Sequence, residues 1–132
     1  MTLQPLETSA LRAALTNNTG LRLAFVFGSV ARGTARSDSD IDLAVLADHA
    51  LTSGEKIALI EAAARASGRA VDLIDLSTAG QPLLGQILRD GIRLLGNADA
   101  QADLATRAAL DVSDFLPYVQ RMLKHRRLSW IG

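Results

Sequence analysis

Residues 40–45 read Asp-Ile-Asp-Leu-Ala-Val, so that Ile41, Leu43 and Val45 alternate with Asp40, Asp42 and Ala44. A period of two is that of a β-strand, and it puts the three large apolar residues on one face and both carboxylates on the other. The first face suits a core. The second carries two like charges that repel each other unless a cation lies between them. With no His or Cys cluster nearby, carboxylate oxygens favour Mg²⁺ or Mn²⁺ over Zn²⁺, and such ions usually complete their shell with water and substrate phosphates. The chain just upstream suits a phosphate. Leu21 to Phe27 is a short apolar run that stops at Gly28, as a buried strand would. Gly28 permits a tight turn with close backbone approach, and Ser29, at a helix start, offers its hydroxyl and nearby N–H groups to an anion. Arg32 can reach the same anion with its guanidinium fork.

The remaining sequence surrounds these two strands with helices. Leu6, Ala10, Leu11, Ala14 and Leu15 form one helical stripe between Pro5 and Leu15. Thr52 or Ser53 can cap a helix in which Ile57, Leu59, Ile60 and Ala63 or Ala64 pack inward, and Gly68 is placed to end it. A third strand is expected over Ala70 to Leu76, a short helix over Pro82 to Arg89 and an edge strand over Ile92 to Leu95. From Ala98 the pattern is helical, with a break or kink at Pro117. The interleaving predicts an α/β (α+β) fold, a small sheet covered by helices. Residues 1–97 would form the core, and 98–132 a helical segment packed on it or extending it within a single domain. At 132 residues the chain can bury a real core but is short for an enzyme enclosing two substrates, so another molecule is expected to finish its pocket. Fourteen basic residues balance fourteen acidic ones, which excludes a net field drawing the whole protein to nucleic acid or an anionic membrane. The absence of cysteine excludes disulfides, thiol catalysis and Cys-type zinc sites. No basic segment followed by an apolar block opens the chain, and the apolar run Leu23 to Phe27 is too short to span a bilayer, so a cytoplasmic protein is expected.

Gly28-Ser29, ten residues, then Asp40-Ile41-Asp42 matches the G-S-x10-D-x-D motif of the DNA polymerase β-like nucleotidyltransferase superfamily. The surrounding GSVARGTARSDSDIDLAV most resembles its minimal nucleotidyltransferases, many of which serve as antitoxins to HEPN-type ribonuclease toxins. The resemblance covers Leu21 to Gly96, and its fixed spacing between two strands is far more specific than a bare D-x-D. It implies a small mixed sheet flanked by helices, a third carboxylate on a later strand, and in-line transfer assisted by two Mg²⁺ ions. It assigns Asp40, Asp42 and Asp72 to metal and catalysis, with Gly28, Ser29 and Arg32 holding the triphosphate. It also implies ATP as donor and a tyrosine hydroxyl of a cognate HEPN-type toxin as acceptor. Direct nucleic-acid binding is not expected, and homo-oligomers and hetero-oligomers with the toxin both stay open.

The third carboxylate has two candidates, Asp72 and Asp75, which point to opposite faces of a regular strand. Periodicity ties, because Val71 and Leu73 share the Asp75 face while Ile74 and Leu76 share that of Asp72. The resemblance selects Asp72; Asp75, near the strand end, is expected to turn toward water. Two other functions compete: a nucleotidyltransferase for small molecules such as aminoglycosides, and a non-catalytic, nucleotide-binding antitoxin acting by contact. The former carry a sizeable acceptor domain, for which little chain is left here. Arg36 reads as a solvated loop charge, with a phosphate contact as its alternative, Asp38 as a turn or capping residue of the loop and His49 as a surface histidine, and Ser29 is no hydrolase nucleophile, since the G-x-S-x-G elbow is absent. The basic run Arg121 to Arg127 reads as a solvated helix end, with a docking patch as its alternative.

Overall fold

The computed structural model describes residues 5–17, 20–28 and 40–110. Its elements run α1 (Pro5–Thr16), β1 (Leu21–Phe27), β2 (Ile41–Ala47), α2 (Ser53–Ser67), β3 (Val71–Asp75), α3 (Leu83–Asp90) and β4 (Ile92–Leu95). A further helix, α4, is described over 98–110. The four strands form one mixed sheet in the order β3-β2-β1-β4. β1 pairs antiparallel with β2 and β4, and β2 pairs parallel with β3. The parallel pair is joined through α2, as such a connection requires a crossover.

Alternation sorts the strand residues between two apolar layers. Ala24, Val26, Ile41, Leu43, Val45 and Val71 face α1 and α2, packing with Leu11, Leu15, Leu59 and Ala63. Leu23, Phe25, Ala44 and Leu76 face the other way, against Leu84 and Ile87 of α3 and Ala100, Leu104 and Ala108 of α4. α4 is thus a working part of the second layer. Arg107 ties it down by donating from Nη2 to the carbonyls of Leu76 (2.5 Å) and Ala79 (3.2 Å).

α2 starts and stops as its sequence suggests. Thr52 Oγ1 accepts from Glu55 N (3.1 Å) while Glu55 Oε1 accepts from Thr52 N (3.0 Å), a reciprocal cap. Gly68, at φ 70°, closes the helix with its N–H on Ala64 O. Its rotation corrects one expectation: Leu59 and Ala63 are buried, but Ile57 is exposed. Position 57 lies two residues before 59 on a helix, so the two cannot share a face. On the far side Arg12 of α1 donates from Nε to Leu94 O (2.7 Å), and Arg69 pairs with Glu7 (3.2 Å) at a largely buried contact. No helix among the described residues is long and apolar enough to cross a membrane.

Candidate active site

Three strands contribute one residue each to a single row. Phe27 on β1 is the register partner of Asp42 on β2, and Asp42 is the partner of Asp72 on β3. Register partners lie side by side on one face, so Asp42 and Asp72 are neighbours on the α3 side of the sheet. Asp42 is half-buried and Asp72 exposed. Asp40 lies one residue before β2, exposed, at the end where Ile41 N donates to Ala70 O (2.8 Å) and begins the parallel ladder. The strand begins at Ile41, so Asp40 stands just outside it. Among the described residues no three His, Cys, Asp or Glu side chains converge to ligating distance; it is the strand register that gathers the carboxylates on one face.

Gly28 adjoins this row. Its φ is +73°, a conformation that L side chains rarely adopt, and a Cβ there would overlap the Asp42 carboxylate. The glycine therefore does two things at once: it turns the chain at the end of β1, and it clears the space in which the carboxylate sits. Beside it opens a cavity of about 270 Å³ lined by Phe27, Gly28, Leu83, Gln86, Arg89 and Asp90. Sequence reasoning passed over this α3 wall. Its signal is the spacing of Leu83, Gln86 and Arg89, three apart and out of phase with the buried Leu84 and Ile87.

Asp75 is placed differently from the sequence expectation. It is buried, at 6% exposure, on the opposite face from Asp72. Its carboxylate accepts from Leu51 N (2.8 Å), Ser77 N (2.9 Å) and Ser77 Oγ (2.7 Å). Burial by itself raises its pKa, but these donors and the charge of Lys56 outweigh it and hold the carboxyl below its ordinary value. A charge that looked able to escape to water is instead retained inside because backbone donors surround it. His49 is exposed and pairs through Nε2 with Glu55 (2.8 Å), as a surface histidine. Ser29, Arg32, Arg36, Asp38, Pro117 and the basic run after it lie outside the described residues.

The family described as "Polymerase beta, Nucleotidyltransferase" matches residues 10–100. Protein adenylyltransferase MntA of Shewanella oneidensis is 36% identical over 90 residues, covering 68% of this chain and 65% of that relative, just under two thirds of its length. A chain from the crystal structure of a toxin-antitoxin with AMP-PNP is 28% identical with a TM-score of 0.76, covering 91% of this chain and 98% of that one. A chain from the tri-AMPylated Shewanella oneidensis HEPN toxin in complex with MNT antitoxin is 25% identical with a TM-score of 0.72, covering 95% of this chain and 99% of that one.

Proposed function

Because the chain belongs to the polymerase β nucleotidyltransferase family, we propose that it transfers AMP from ATP to a hydroxyl, a tyrosine of a cognate HEPN-type toxin, and so acts as the antitoxin. The observation that carries this reading is the row Phe27–Asp42–Asp72 with Gly28 against Asp42. The name of the S. oneidensis relative and the AMP-PNP and AMPylated-toxin complexes among the similar structures support the choice of donor and acceptor. A cytoplasmic location goes with ATP as donor.

The donor set fits Mg²⁺: carboxylate oxygens from Asp40, Asp42 and Asp72, two of them register partners, with no soft ligand in the set. Two such ions, when bound, would polarise the α-phosphate and stabilise the attacking and leaving oxygens. The chain's own part is positioning and proton transfer. Gly28, Ser29 and Arg32 hold the triphosphate, the backbone turn at Gly28 bringing it beside Asp42. Asp72, exposed on edge strand β3, stands where an acceptor from a second protein can approach, and it takes the proton as the hydroxyl oxygen bonds to the α-phosphorus. The α-phosphorus bond to the pyrophosphate oxygen breaks, so AMP-ester and pyrophosphate are the products.

The test is labelled ATP with Mg²⁺ and the HEPN-type partner. Label should appear on the partner, and Asp42→Asn and Asp72→Asn should each slow its appearance by about 100-fold or more without loss of the folded state. Neutralisation of the toxin by Asp42→Asn as complete as by wild type would favour action by contact. Label on an aminoglycoside and none on the toxin would favour the small-molecule enzyme.

A further inference from the structure

Resting on that reading of the donor, we propose that the cavity between the end of β1 and α3 receives the purine base of the nucleotide, and that Gln86 reads the edge of that base. The row on the sheet has a direction. Asp72 lies on edge strand β3, Asp42 next to it on β2, and Phe27 beyond on β1. The cavity opens beyond that end, touching Phe27 and Gly28. In an in-line transfer the pyrophosphate leaves opposite the acceptor hydroxyl and the nucleoside branches to the side of that line, and the cavity next to Gly28 is a space beside the row that can take it.

The lining suits a base. Phe27 and Leu83, both half-buried, offer an aromatic and an aliphatic surface to its flat faces. Leu84 and Ile87 are fully buried and lock the rotation of α3, which fixes Leu83 and Gln86, one turn apart, on the cavity side. Gln86 is exposed, and its side chain makes no hydrogen bond to another described residue. Arg89 and Asp90, separated by 4.0 Å, are both exposed on the same wall and contact each other only loosely.

An amide both donates and accepts. It can pair with the amino group and ring nitrogen of adenine and, turned over, with the carbonyl and N1–H of guanine. A carboxylate at the same place only accepts: it suits the N1–H and amino group of guanine and opposes the ring nitrogen of adenine. Gln86→Glu should therefore move the ratio of ATP to GTP affinity toward GTP by about tenfold or more. Gln86→Leu should weaken both nucleotides alike, by about tenfold.

Calorimetric titration of the full chain with Mg-ATP, Mg-GTP and inorganic tripolyphosphate tests this. Tripolyphosphate carries no base, so its affinity should be the same in wild type and both variants. An ATP-to-GTP ratio unchanged in Gln86→Glu would overturn the inference. So would a loss of tripolyphosphate binding in Gln86→Leu, which would mean the cavity holds phosphates. Wild type that binds ATP, responds to these variants as described and yet labels no toxin would overturn the proposed function alone.

Discussion

At the scale of single residues, a Cβ at position 28 would overlap the Asp42 carboxylate, whereas one at position 68, with nearly the same φ of 70°, would have no heavy atom within 4 Å. The two glycines separate backbone strain from site geometry. Gly28→Ala and Gly68→Ala should each cost about 1–2 kcal/mol of stability through the left-handed backbone. Only Gly28→Ala should also cut transfer, by about 100-fold, because displacing the carboxylate by an ångström misplaces whatever it holds. Equal activities in the two variants, measured on proteins of matched folded fraction, would count against the assignment of Asp42. The Gly-Ser and Asp-x-Asp spacing was legible because it is local chain. The overlap between residues 28 and 42 was not, since it exists only once β1 and β2 pair with Phe27 opposite Asp42.

At the scale of elements, Asp75 joins parts that are far apart in sequence. Its carboxylate holds Leu51, in the connection ahead of α2, to Ser77, in the turn after β3. With the folded pKa below the unfolded value of about 3.9, this contribution is fully present above that value and is lost as pH falls through the folded pKa. Asp75→Asn leaves one acceptor where two oxygens met three donors, and should cost about 1–3 kcal/mol near neutral pH. The gap between wild type and variant in denaturant unfolding should narrow as pH is lowered from about 6 to about 3. A gap of the same size at both ends would mean the carboxylate charge contributes nothing. The strand itself was visible in the sequence, yet the choice between Asp72 and Asp75 was tied by the apolar count. Register separates the two: Asp72 stands opposite Asp42, and Asp75 opposite the core residue Val45.

At the scale of the whole molecule, α4 closes the second apolar layer. Leu104 is 3% exposed and lies in the same cluster as Leu84 and Ile87. Leu104→Ala should therefore cost about 2–5 kcal/mol, as Leu84→Ala should. A cost for Leu104→Ala well below about 1 kcal/mol would make the helix an appendage. The sequence by itself determined what depends on neighbours in the chain: strand alternation, the caps of α2, the glycine that ends β1, and the spacing of the two acidic positions on β2. Periodicity and capping are local, so they can be read without partners. Only the tertiary structure decided which carboxylates share a face across strands, that Asp75 is buried by donors from two loops, that α3 walls a cavity beside Gly28, and that α4 belongs to the core. Each of those depends on which segments meet, and hydrophobic burial, which brings them together, carries no direction along the chain.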